Sequence, residues 1–162
     1  MQPLSERAPS VPPWVAIALH EIGVIEDVRP NRSTSRIEAY HAVTRGGASP
    51  DDVPWCSSLV CWTMEEAGIA STRSKAAASW LTWGEGIPPR LGAIVVFGKG
   101  DRDAKGTGHV GIALGVSGGE VYVLGGNQKN RVSVATRKVR DAVAWRWPSA
   151  VETLGGGPPR AA

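Results

Sequence analysis

No run of about 18 consecutive apolar residues occurs, so no membrane-spanning helix is expected. The first residues, MQPLSERAPSVPPW, lack the apolar core of a signal peptide. Synthesis in a cytoplasm without a secretion leader is the resulting expectation. Cysteine is scarce, with Cys56 and Cys61 alone. Five residues apart on a helix, they point about 140° apart around its axis. That disfavours a disulfide between them and excludes a small secreted fold held by staples. Two cysteines and three scattered histidines make no zinc spacing. His20-Glu21 lacks the second histidine of a zinc-protease helix, and neither Gly98-Lys99-Gly100 nor Lys105-Gly106-Thr107 completes a phosphate loop. No G-x-S-x-G surrounds Ser57 or Ser58. No cofactor or metal is implied. No Lys/Arg run interleaves with aromatics, so a nucleic-acid partner is not expected.

What is present fits one globular domain. The chain has 162 residues, 42% hydrophobic and 20% charged, enough for a core that needs no metal or disulfide. A monomer is expected. The net charge of +3 is uneven: residues 1–89 hold 7 basic and 10 acidic side chains, residues 90–147 hold 10 and 4. The basic half by its charge suits an anionic partner such as nucleic acid or cell wall, or is simply a solvated sheet face. Seven Trp stand against one Phe and two Tyr. Their amphipathic rings suit wet surfaces as well as core.

The pattern along the chain changes period halfway. Residues 1–13 are Pro- and Ser-rich and read as a flexible segment. Trp14 to Ile22 reads as a helix, with Pro13 at its start and Gly23 at its end. A second helix is expected over Ile37 to Thr44, after Ser33-Thr34-Ser35 and before Gly46-Gly47. Asp51-Asp52-Val53-Pro54 reads as a solvated loop, with calcium binding as its rival reading. A third helix runs from Cys56 to Ala67 and stops at Gly68. Strands are then expected over 93–97, 109–116, 120–124, 131–136 and 142–147. Gly98 to Gly108 reads as a loop, and 149–162 as a flexible Gly/Pro-rich tail. Helices followed by an antiparallel meander make an α+β layout, with helices packed on a sheet of about five strands.

Cys56 has a suggestive setting. It follows Pro54-Trp55 and opens a helix, whose positive end favours a thiolate. A cysteine nucleophile belongs in such a place, although a buried inert cysteine is the commoner case. Cys61 reads as a packing residue. His20 and His41 sit in predicted helices without polar company. His109 follows Thr107-Gly108 at a strand mouth. Gly111 and Ala113 continue its face, leaving room for the helix that carries Cys56. The tight turn through Ser117-Gly118-Gly119 places His109 opposite residue 126 or 128, according to which pair forms the turn. Gly126-Asn127-Gln128 therefore arrives beside His109 under either register. An amide oxygen there can accept from the imidazole and fix its tautomer.

These residues carry a resemblance. Pro54-Trp55-Cys56-Ser57-Ser58, Gly92 to Phe97, Gly108-His109-Val110-Gly111-Ile112-Ala113 and Leu124-Gly125-Gly126-Asn127-Gln128 resemble, in that order, the NlpC/P60 and CHAP superfamily of cysteine peptidases and amidases. Arg146-Trp147-Pro148 is similar to the ending of its phage-associated small CHAP-like branch. The match runs from about Trp14 to Pro148, and 14–148 is expected to be one catalytic domain without a separate wall-binding module. The resemblance implies a papain-like α+β fold and hydrolysis of amide bonds in bacterial peptidoglycan. It assigns Cys56 as nucleophile, His109 as base and Asn127 as third residue. Many CHAP members carry Glu before that Asn; here Gly126 stands there, and Gln128 is the alternative. Trp55, Ser57, Trp80 and Trp83 are candidates to line a substrate groove, with core packing the expected role of at least two of the tryptophans. A phage endolysin acting on the wall after holin-type release is the leading expectation. The rivals are a secretion-delivered antibacterial amidase with an immunity partner and a non-catalytic wall-binding or phage structural module.

Overall fold

The computed structural model describes residues 11–98 and 108–149. The expected flexible ends and most of the expected 98–108 loop lie outside these residues. Three helices come first: α1 (Pro13–Leu19), α2 (Ser35–Ala42) and α3 (Cys56–Glu66). A 3-10 helix (Ala77–Thr82) leads into strands β1 (Glu85–Gly86), β2 (Ile94–Phe97), β3 (His109–Ser117), β4 (Glu120–Gln128) and β5 (Arg131–Lys138). A 3-10 turn (Val139–Asp141) precedes β6 (Ala142–Trp147). All neighbours pair antiparallel in one sheet of order β1-β6-β2-β3-β4-β5. The expected α+β layout, N-terminal helices packed on an antiparallel sheet, is thus present. The sheet has six strands because the two-residue β1 adds an edge too short for any periodic signal.

Helix α1 ends at Leu19 rather than Ile22. Its last bonds tighten to turns, with Glu21 N–H donating to Ala18 O and Ile22 N–H to Leu19 O. Gly23 then adopts φ +99, and its N–H donates to Val132 O on β5. That left-handed φ and the tie to the sheet stop the helix.

The sheet has two buried faces. Ile94, Val96, Val110, Ile112, Leu124 and Val132 share a core with Leu59, Val60 and Met64 of α3. Val95, Phe97, Ala113, Val121 and Val123 point the other way into a second cluster with Ile87 and Trp145. This corrects the expectation that α3 packs on the face of Gly111 and Ala113. Side chains alternate along a strand, and α3 meets the Val110–Ile112 set. The bare Gly111 makes room for Val123, not for a helix.

Asp51 also departs from expectation. It is buried, and its Oδ2 accepts from the N–H groups of Asp27 and Thr34, each at 2.8 Å. Ser33 Oγ lies 3.0 Å from the Asp51 N–H that donates to it. Asp51 therefore ties the chain before α2 to the loop before α3, while Asp52 is the exposed member of the pair.

Four tryptophans have their apolar bodies buried and the indole N–H satisfied. Trp14 donates to Gly92 O, Trp55 to Glu26 Oε1, Trp80 to Ser57 Oγ and Trp83 to Ala70 O. The tryptophan excess is thus largely a core feature, each ring filling volume while its polar edge finds a partner.

Candidate active site

Cys56 is the first residue of α3, and Trp55 caps the helix without a side-chain hydrogen bond. The N–H groups of the first turn are therefore not covered by a capping side chain. His109 is the first residue of β3, paired with Phe97 of β2. The two rings lie 6.4 Å apart, tilted by 31°. Cys56 is 4% exposed and His109 fully buried.

The end of β4 brings the third group. Near the turn the β3–β4 pairing follows Ser117↔Glu120, then slips by one residue between Ala113 and Gly115. Beyond the slip Ile112 pairs with Leu124. Continuing that offset sets His109 level with Asn127, between the two registers expected from the turn. A second irregularity falls between Gly125 and Gln128 on the β5 side, where Asn127 takes φ +60. The bulge turns the Gln128 side chain back over Gly125. Gln128 Oε1 then lies 3.0 Å from His109 Nε2.

The chemistry of this contact is fixed by the other end of the amide. Gln128 Nε2 donates to Ser133 O at 2.8 Å and to Val123 O at 3.3 Å. Carbonyls only accept, so the amide nitrogen belongs there and Oε1 faces His109. Since Oε1 only accepts as well, Nε2 of the ring carries the hydrogen. In the neutral imidazole the basic lone pair is then on Nδ1.

Trp55, the residue before Cys56, packs against the same end of β4 that carries Gln128. Helix α3 packs on β3 and β4. The Trp55 ring packs against Gly126, while the His109–Gln128 pair packs against the adjacent Gly125. Glu26 Oε1 accepts from Trp55 Nε1 at 2.7 Å, fixing the residue before Cys56. Glu26 and Ser133 support the site without any local sequence signal. They sit 29 and 5 residues from the groups they hold.

The candidate groove residues are placed in the core instead. Trp55, Ser57 and Trp80 have no exposed surface, and Trp83 has 7%. Ser57 Oγ donates to Ser74 O and accepts from Trp80. The two cysteines form no disulfide, and Cys61 is buried beside Ser74 O and Thr72 Oγ1.

His41 has polar company that its helix context did not suggest. It is fully buried, with Nδ1 2.7 Å from Ser58 Oγ. Burial pushes its imidazole below the usual 6.5, and the Lys75 charge pushes the same way. The folded chain therefore keeps His41 neutral where the unfolded chain takes up a proton. The stability this contributes is complete above about pH 6.5 and is lost as pH falls through the lowered folded value. The melting temperature is expected to fall between about pH 7 and pH 5, and to fall less steeply in His41→Gln. Parallel slopes for the two proteins would remove His41 from the account.

The fold is α+β, with a histidine–amide pair on β3 and β4 and Cys56 at the start of α3. Residues 48–127 match the CHAP domain family. No curated protein sequence matches it significantly. Among solved structures it is similar to an NLP/P60 family protein, described as similar to lipoprotein, from Staphylococcus aureus subsp. aureus Mu50. The TM-score is 0.46 at 17% identity, covering 85% of this chain and 41% of that one. It is also similar to the peptidoglycan hydrolase RipB from Mycobacterium tuberculosis, with TM-score 0.46 and 18% identity over 83% of this chain and 62% of that one. The chain thus spans less than two thirds of either.

Proposed function

We propose that this chain is a cysteine hydrolase of bacterial peptidoglycan. It cleaves an amide bond, either within the stem peptide or between muramic acid and L-alanine. The observation that carries the reading is the His109 Nε2–Gln128 Oε1 hydrogen bond, on the two strands that pack against the helix opened by Cys56, within the segment that matches the CHAP domain family. Nδ1 of His109 takes the Cys56 thiol proton. The positive end of α3 favours the thiolate that results. Sγ attacks the carbonyl carbon, and first-turn N–H groups of α3, that of Cys56 among them, accept the oxyanion's charge. The C–N bond breaks as the imidazolium returns its proton to the leaving amine. Water then gives a proton to Nδ1 and attacks the thioester, releasing the acid and restoring the thiol. Gln128 takes the orienting role in place of Asn127, because its oxygen is the one on the ring.

The biological setting we propose is that of a phage- or prophage-derived lytic enzyme, supported by the motif order that ends in Arg146-Trp147-Pro148. A zymogram on purified peptidoglycan tests the chemistry. Clearing by the wild type and by Cys61→Ala, with none by Cys56→Ala, is the expected result. Undiminished clearing by Cys56→Ala would end the proposal. Mass spectrometry of the released muropeptides identifies the bond.

A further inference from the structure

We propose that Gly125 and Gly126 are a pair of positioning residues that set the separation of base and nucleophile by having no side chains. The inference rests on the hydrolase reading above and concerns how that site is held. Neither glycine is demanded by the backbone. Unlike Gly118 and Gly119, both lie outside the left-handed φ region, so the chain itself accepts alanine at either position.

The neighbours do not. A Cβ on Gly125 would stand 2.9 Å from Gln128 Oε1, 3.0 Å from His109 Nε2 and 3.1 Å from Gln128 Cδ. Carbon atoms in comfortable contact lie about 3.5–4.0 Å apart. The amide is the movable member of this group, so the His109–Gln128 hydrogen bond is what gives way. A Cβ on Gly126 would stand 2.6 Å from two atoms of the Trp55 ring and 3.2 Å from Leu59 Cδ2. These belong to the start of α3, so the displaced part is the helix end that carries Cys56. Gly125 thus gauges the base and Gly126 the nucleophile. Gly115, on the neighbouring strand, has nothing within 4 Å of its missing Cβ and serves as the control.

The test compares the full chain with Gly125→Ala, Gly126→Ala, Gly115→Ala, Gln128→Ala and the Gly125→Ala/Gln128→Ala double variant. Two readouts are used: the His109 tautomer by 15N NMR, and the pH dependence of Cys56 alkylation by iodoacetamide. The wild type is expected to show the Nε2–H tautomer, and Gly125→Ala a mixture. Alkylation of Gly125→Ala at pH 7 is expected to slow about tenfold, as expected for a one-unit rise in the apparent thiol pKa. Gly126→Ala keeps the tautomer but slows alkylation, and Gly115→Ala changes neither. On the Gln128→Ala background, Gly125→Ala adds less than about a twofold further effect, because both act through one bond.

An unmixed Nε2–H tautomer in Gly125→Ala, or a fully additive double variant, would overturn the proposal. So would normal alkylation in Gly126→Ala. If Gly125→Ala fails to fold, the double variant decides: it is expected to melt with Gln128→Ala, and its unfolding would count against the proposal. The tautomer readout needs no substrate. A wild type that clears no wall and alkylates like an ordinary thiol therefore sinks the hydrolase reading alone, leaving the tautomer to judge the glycines.

Discussion

Gln128→Ala is expected to lower the rate of peptidoglycan hydrolysis by about 10²-fold, within the range that a positioned acid–base group supplies. The variant removes the acceptor that holds the Nε2–H tautomer of His109. It leaves Cys56, the helix start and the sheet in place. KM is expected to change little, since no part of the Gln128 amide is free for substrate: its oxygen is on His109 and its nitrogen on two backbone carbonyls. Asn127 supplies the contrast. It sits at φ +60, where glycine is at home and alanine is strained, so Asn127→Gly removes the side chain without bending the strand. That variant is expected to stay within about threefold of wild type, because the acid–base pair is untouched. Reversal of the two results would return the orienting role to Asn127.

Trp55→Ala is expected to destabilise the chain by about 3–5 kcal/mol, the cost of emptying a large buried site. Trp55 has no exposed surface, stacks near Tyr40 at 6.0 Å and donates to Glu26. For a chain of this length a loss of that size lowers the melting temperature by about 10 °C or more. Trp55→Phe keeps most of the ring but leaves the partly buried Glu26 carboxylate without its donor. Its expected cost is about 1–3 kcal/mol. Thermal unfolding of the three proteins checks the order. Equal melting of Trp55→Phe and wild type would show that the Glu26 contact contributes nothing.

Much of the architecture was legible in the residues themselves. The switch from helical to alternating periodicity places three helices before the main strands, and the observed elements start within a few residues of those expected. Glycines and prolines account for this: Pro13 opens α1, Gly23 closes its turn, and Gly118-Gly119 fold β3 onto β4. The proposed nucleophile and base lie on the elements read for them because both depend on local signals, a helix start and a strand mouth.

The rest needed three dimensions. The turn allowed two registers, and a bulge near Leu114 produced a third offset between them. Which of two adjacent amides meets His109 depends on a second bulge and on Asn127 turning left-handed, so neighbours in sequence face different ways. Which face of β3 meets α3 also lay beyond the sequence, because small residues mark close approach without naming the partner. Burial of the tryptophans and of Asp51 follows from partners 13 to 78 residues distant in the chain. The sequence by itself thus determined the order of elements and the residue types a cysteine hydrolase requires, since those are set by local periodicity and turns. Tertiary structure alone decided the pairing of Gln128 with His109 and the packing of Trp55 and His109 on adjacent glycines, since both arise at the bulged end of β4.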